Sequence, residues 1–461
     1  AKVEAGEVEY VTLCIPISTN TLYRRLDAKN FLKEVVKNGI KFPELAMQFS
    51  VNNDVLCTKH IDLGNFLDKK VLVDVKAGFR TMSWLGPNHA LCMTDFIEED
   101  GSYHPQNPRD LLKKLLQDVE SKFEYTFKHA PELEYYLLNK RCNEISEQYP
   151  SININENKVS KSQSEFSVGV CLDRYEDLNY KIKKNITECG VQLEGLFSEH
   201  GPGQQEVNVR YDDTLLSADN HVILKQCIKH TAYKEGVGAT FMAKIFPDYD
   251  GSSGHVHISC YKGGKSIFCP STDESENSVI ELPNKKVLCN KNLLYFIGGL
   301  CEYMQEMFLL FANNVNSYKR YKENSFAPIH TNSWCYDSRT SGIRVVGEGD
   351  SLHLEVRFAG SDTNPYLLLV GIIGAGVEGI EKKIQPPPMA TGNLYEKHYE
   401  KLKRAPFTLL ESLEIFEKSE FCKRLLGEKL YDFLIVLAKH EWKEYNEHIS
   451  NFEIRKYLDL V

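Results

Sequence analysis

Three short runs set ionisable side chains two positions apart inside otherwise apolar, strand-like segments: "PELEYYLL" at 131–138, "SGHVHIS" at 253–259 and "LHLEVRFAG" at 352–360. Side chains alternate between faces along a strand, so each run delivers both polar groups to one side. Glu132 then travels with Glu134, His255 with His257, and Glu355 with Arg357. Between these runs, "SEHGPGQQEVNVR" brackets a glycine and proline turn with Glu199 and Glu206, a geometry that folds two carboxylates toward one point. Each feature has an ordinary explanation on its own: a solvated strand face, a satisfied histidine pair, a lateral ion pair. Together they constrain the fold to a sheet with one packed face and one face that gathers charge.

If the segments converge, Glu132, Glu134, Glu199, Glu206, His255 and Glu355 share one space. Like charges ~4 Å apart repel by about 4 kcal/mol at an effective dielectric near 20, so the cluster needs cations. Carboxylate oxygens with one imidazole suit magnesium or manganese better than a thiolate-type zinc site. A second set is cationic: Arg320 in "NSYKRYKENSFAP", Arg339 and Arg344 in "DSRTSGIRVV", and Arg357. Guanidinium forks match carboxylate and phosphate geometry, and together with metal ions they point to phosphoryl chemistry on a nucleotide. Other phosphate and nucleophile motifs fail. "SCYKGGKS" has Ser259 where a phosphate loop requires its first glycine, and no GxSxG elbow occurs.

The chain has 461 residues, 42% hydrophobic and 26% charged, with a net charge of -9. That balance fits a globular protein with more than one domain and gives no basic surface for nucleic acid. Thirteen scattered cysteines without a CxxC pair read as reduced thiols, hence a cytoplasmic expectation. The longest apolar run, "YLLLVGIIGAGV" at 366–377, is shorter than the ~20 residues a membrane span needs and reads as a buried helix. Short β-rich runs and one helical stretch, "DAKNFLKEVVKNG", fill residues 1–106. Asn107-Pro108 then reads as a helix cap opening a larger α+β domain, 107–461, which ends in helices from about residue 407. The polar stretches 156–165 and 261–286 read as surface loops.

The segments "PELEYYLL", "PGQQEVNVRYDD", "KIFPDYDGSSGHVHIS", "NSYKR", "SRTSGIRV" and "EVRFAGSDTNPYL" resemble, in order, those of the glutamine synthetase family in its bacterial type I-like branch. The resemblance implies an N-terminal β-grasp domain, a catalytic domain of curved antiparallel sheet with helices, and homo-oligomers of stacked rings, decamers or dodecamers. It implies that Glu134, Glu199 and Glu206 hold one metal ion and that Glu132, His255 and Glu355 hold another. Arg320 and Gly251 would bind glutamate. Arg339, Arg344 and Arg357 would face the transferred phosphoryl group, with Arg357 also near glutamate. Glu194, His257 and Ser259 would contact ATP, beside Arg339 and Arg344. The implied reaction runs through γ-glutamyl phosphate to a γ-glutamyl amide.

Two positions depart from the ammonia-using members. Ser50 in "FSVNND" stands for an aspartate, and Phe326 in "SFAP" stands for the flap glutamate. Both losses remove attraction for a small cation and a general base. The flap and "HTNSWCYDSRTSGIRV" resemble the γ-glutamyl-amine ligases, such as γ-glutamylputrescine synthetase, so an organic amine is the expected acceptor. Two alternatives stand beside this: an ammonia-dependent glutamine synthetase with Glu323 as substitute base, and a non-catalytic, lengsin-like structural protein. Tyr395 lies near where some bacterial relatives are adenylylated and reads here as an ordinary surface tyrosine.

Overall fold

The computed structural model describes every residue except 61–66, 149–152, 161–163, 168, 323–324, 396–398 and 400, and leaves aside the side chains of 169–173. Six N-terminal strands form one sheet. Its order runs Thr21–Asp27, Tyr10–Pro16, His89–Ile97, Asp68–Val73 and Ile40–Pro43, with Phe79–Thr81 also paired to His89–Ile97. The first and last long strands, Tyr10–Pro16 and His89–Ile97, run parallel, as a β-grasp requires. The expected helix spans residues 28–38. Asp27 caps it by accepting from the Lys29 and Asn30 amides at 3.0 Å each. Gly39 ends it at φ +70, where a β-carbon would fall 2.4 Å from the Val71 carbonyl oxygen, so no side chain fits. Phe31 and Val35 pack from this helix onto Val11, Leu13, Ile15 and Phe96.

A ten-stranded sheet forms the larger part. Its order is Trp334–Tyr336, Ile343–Val346, His353–Val356, Gly254–Lys262, Tyr125–Leu138, Gln204–Val209 and Leu193–Ser198, with three short strands attached. Alternation separates its two faces. Leu133, Tyr135, Val207, Val256, Ile258, Leu354 and Val356 all belong to one buried apolar core, and the polar partners of these residues face the other way. Helices Pro108–Phe123, Thr214–Lys234 and Pro365–Lys382 pack on this core side. The first begins as read from the sequence: the Asn107 side chain accepts from the Arg109 and Asp110 amides at 2.9 and 3.1 Å. The apolar run 366–377 lies within the buried Pro365–Lys382 helix, and no described helix is long and apolar enough to cross a membrane. Four helices close the chain from Leu409 to Tyr457.

Arg109 joins the N-terminal sheet region to a helix packed on the larger sheet. Its fully buried guanidinium reaches Asp74 at 3.0 Å and Asp95 at 2.5 Å from the N-terminal part, and Asp219 at 2.8 Å on helix Thr214–Lys234. A buried cation so placed is tolerable only because several carboxylates surround it.

Two expected loops are more structured than composition suggests. Residues 261–286 contribute a strand, Asn277–Glu281, paired with Lys286–Asn290; it buries Ile280 on one side and leaves Val279 exposed on the other. Glu165, in the polar 156–165 stretch, is fully buried because its carboxylate takes hydrogen bonds from Tyr175, Arg174 and the Gly203 amide.

Candidate active site

Cross-strand register assembles the charged face. Glu134 stands opposite Glu206, Glu132 opposite His255, His257 opposite Glu355, and Glu355 opposite Arg344. Residues directly opposite share a face, so neighbouring strands converge on one region. There a cavity of about 1090 Å³ opens, lined by Glu132, Glu134, Glu199, Glu206 and His255 among others.

His255 Nδ1 lies 2.9 Å from Glu132 Oε1 and 3.6 Å from Glu355 Oε1. His257 Nε2 lies 3.4 Å from Glu132 Oε2, and the candidate ligand atoms of Glu132, His257 and Glu355 all fall within 4.8 Å of one another. Both histidines of the H-x-H run therefore reach this acid pair. Glu134 is held from behind, accepting from the Ser253 amide and from Gln204 Nε2 at 2.9 Å each. The Glu199–Glu206 turn is closed by the Glu199 amide donating to the Gln204 carbonyl at 2.9 Å. Gly203 sits in it at φ +78 and donates its amide to Glu165 at 2.9 Å. Glu165, Gln204 and Ser253 thus position the acids, yet none is marked by a spacing pattern in the sequence.

The carboxylates divide into two electrostatic groups. Burial, then repulsion from Glu132 and Glu134, pushes Glu206 up to about 9. Burial raises Glu134 to about 7 against the Ser253 amide, and burial with Glu134's charge raises Glu199 to about 7. Burial also works against Glu132, but hydrogen bonds from His255 and His257 outweigh it and hold this carboxyl well below the usual range. Glu355 is likewise brought to about 2: burial opposes, while His255 and Arg357 favour its charge. In Glu134, Glu199 and Glu206 burial and mutual repulsion outweigh the stabilising contacts, which for Glu134 include the charges of Arg320 and Arg357.

Arg320 is almost fully buried and donates to Ser253 Oγ at 3.0 Å and to the Phe358 carbonyl at 3.1 Å. Gly251 lies against it: a β-carbon there would sit 2.5 Å from Arg320 Cγ. Arg344 pairs with Glu355 at 2.8 Å and Asp337 at 2.5 Å, and Arg357 pairs with Glu355. The buried Nε atoms of both Arg344 and Arg357 have no acceptor among the described residues, and of the two arginines only Arg357 lines the cavity. Arg339 is exposed at the cavity wall. Glu194 is exposed at the bulge in strand Leu193–Ser198, and Ser259 lies two residues beyond His257; neither lines the cavity. His353, missed in the sequence, meets His257 Nδ1 at 3.0 Å.

Residues 105–457 match the family model described as glutamine synthetase, catalytic domain. The chain belongs to the glutamine synthetase family. It is 33% identical over 357 residues to glutamate–isopropylamine ligase of Pseudomonas sp, covering 77% of this chain and 74% of that one. It is 29% identical to γ-glutamylethanolamide synthetase GlnA4 of Streptomyces coelicolor, covering 100% and 95%. With type-1 glutamine synthetase 2 of Dictyostelium discoideum it shares 32% over 83% of this chain and 70% of that one. In fold it is like the solved structure named GmaS/ADP complex-Conformation 1, with a TM-score of 0.84 over 99% and 98% of the two chains at 22% identity.

Within this glutamine synthetase family scaffold the flap end of the cavity is aromatic. Phe326 is exposed at φ +54, its ring 6.2 Å from His200 and 5.8 Å from Tyr395. His200 in turn bonds Asp250 Oδ2 through Nδ1 at 2.7 Å. Tyr395 is not a surface tyrosine: it is buried, lines the cavity, and donates its hydroxyl to the Arg339 carbonyl. The reading from composition failed because the loop around it is polar while its ring packs edge-on against the flap. Ser50 is bound in its own turn, to Asp54 at 3.0 Å, and every described cavity residue lies at or beyond Glu132. Glu323 lies outside the described residues.

Proposed function

We propose that this protein is an ATP-dependent ligase that joins glutamate to an organic amine as a γ-glutamyl amide. The observation that carries the reading is the acceptor end of the cavity, where Phe326, Tyr395 and His200 form an aromatic wall beside the acidic and cationic sets. An aromatic wall favours the carbon body of an alkylamine over bare ammonium. The names of the relatives from Pseudomonas and Streptomyces support an amine acceptor.

Arg320 binds the α-carboxylate of glutamate, and Gly251 leaves the room for it. The γ-carboxylate oxygen attacks the γ-phosphorus of ATP, ADP leaves, and the amine nitrogen then attacks the acyl carbon and expels phosphate while giving up a proton. Arg339, Arg344 and Arg357 compensate the charge on the phosphoryl oxygens in flight. Glu134, Glu199 and Glu206 would hold one divalent ion, magnesium or manganese, and Glu132, His255 and Glu355 another; bound there, such ions neutralise nucleotide phosphates. The three raised carboxyls support this donor set. Glu194, His257 and Ser259 form the ATP side of this proposal. Residues 1–106 and 107–461 act as β-grasp and catalytic domains in a stacked-ring homo-oligomer of the cytoplasm. A cavity whose described lining begins at Glu132 supports completion of the site by a neighbour's N-terminal domain.

The test is phosphate release from ATP and glutamate against a panel of ammonium, methylamine, ethanolamine, isopropylamine and putrescine. We expect one or more organic amines to exceed ammonium at equal concentration, and Glu134→Ala to abolish turnover without unfolding the chain. Turnover with ammonium alone, or none with any amine, would remove the proposal.

A further inference from the structure

A second cavity, of about 380 Å³, shares no lining residue with the first. It opens where the N-terminal segment 18–21 meets helix Thr214–Lys234 and segment 362–366. One stripe of that helix supplies His221, Lys225 and Lys229, at i, i+4 and i+8, and all three line the cavity. The two ammonium groups stand over one ring, Phe241, at 5.3 and 5.9 Å from its centroid.

This positive charge is answered only in part, by the nearby charge of Asp362. Among the described residues no salt bridge engages either lysine; the Lys225 ammonium donates instead to the Ser361 carbonyl at 2.5 Å. Asp362, the one acidic lining residue, is engaged by Asn314 Nδ2 at 2.8 Å and Ser317 Oγ at 2.5 Å. His221 is 3% exposed, and its buried Nε2 has no hydrogen-bond partner among the described residues. Burial, then repulsion from Lys229, brings Lys225 down to about 7 despite the opposing charge of Asp362, and a bound anion would act against that shift. The volume suits a small ligand rather than a peptide.

We propose that this cavity binds a small oxyanion, a phosphate or carboxylate group held by Lys225 and Lys229 with His221 as a further donor, as a second site separate from the substrates. Lys225 also stands at one end of a bond chain to the active site. It holds the Ser361 carbonyl, Ser361 Oγ donates to the Ser253 carbonyl, and Ser253 carries both Glu134 and Arg320. An anion drawing on Lys225 therefore acts on the residues that bind glutamate, which makes the site an effector site.

Calorimetry on the full chain with inorganic phosphate and, separately, succinate tests the binding. We expect saturable uptake of one of them, weakened at least roughly tenfold in Lys225→Met and in Lys229→Met, the loss of one charge-assisted contact. The tighter probe identifies the group the site prefers. Lys229 is exposed at the rim, so Lys229→Met keeps the test valid if Lys225→Met fails to fold. Uptake that both variants leave unchanged, or no uptake of either probe, overturns the site. The effector role is read as a change in the KM for glutamate at saturating probe that vanishes in Lys229→Met; a KM that does not move overturns that role. Binding is measured without turnover, so its failure is distinct from a failure of the ligase reading.

Discussion

Gly251→Ala probes the proposed glutamate clamp without replacing a charged group. The added methyl would lie 2.5 Å from Arg320 Cγ and 2.6 Å from the Ala243 carbonyl oxygen. Ordinary carbon contacts begin near ~3.5 Å, so something must recede by about 1 Å. The backbone carbonyl is fixed in the chain, and the side chain of Arg320 is the softer partner. Its guanidinium is tied to Ser253 Oγ and the Phe358 carbonyl, so displacement breaks the alignment that presents it to a carboxylate. Losing one charge-assisted hydrogen bond costs about 1.5–3 kcal/mol, or roughly ten- to a hundredfold in affinity. Steady-state phosphate release should show the KM for glutamate rising by that factor, while the KM for ATP moves little and thermal unfolding stays cooperative. A folded Gly251→Ala enzyme with an unchanged glutamate KM would refute the placement of the clamp.

Two further outcomes follow from the same geometry. Phe326→Glu returns a carboxylate to the flap and should raise kcat/KM for ammonium relative to the preferred organic amine by about tenfold or more, the scale of one general base; an unchanged ratio in competition assays would show that the flap does not select the acceptor. Asp74 supplies a pH signature: burial raises its carboxyl, but the Lys113 hydrogen bond and Arg109 charge win and hold it at about 2, against 3.8 unfolded. Its contribution of about 2 kcal/mol is present above pH ~3.8 and lost as pH falls through ~2. Urea midpoints should therefore separate the parent from Asp74→Asn by a gap that closes between pH 5 and pH 2, and a gap independent of pH would deny the ion network its role.

What the sequence made legible is what strand periodicity and caps control. Two-residue spacing put Glu132 with Glu134 and His255 with His257 on one face, and Asn107-Pro108 marked a helix start to the residue. Those signals are local. Glu165, Gln204 and Ser253 act through contacts between segments far apart in the chain, up to 119 residues for Ser253 to Glu134, and no periodicity encodes such a contact. The burial of Tyr395 is hidden from the sequence for the same reason, since its partners Phe326 and Arg339 lie in other loops. The pair Lys225 and Lys229 looks like an ordinary solvated helix face until Phe241 and Ser361 are seen beside it.

Glu132, Glu134, Glu206, His255 and Glu355 sit on hydrogen-bonded strands of one sheet, with Glu199 and Arg357 just past strand ends, whereas Phe326, His200 and Tyr395 sit on connections. Acceptor choice can thus drift by exchange of a few turn residues while the phosphate-handling scaffold keeps its register. A lineage built this way has a cheap route to new amines and a steep one to new activation chemistry.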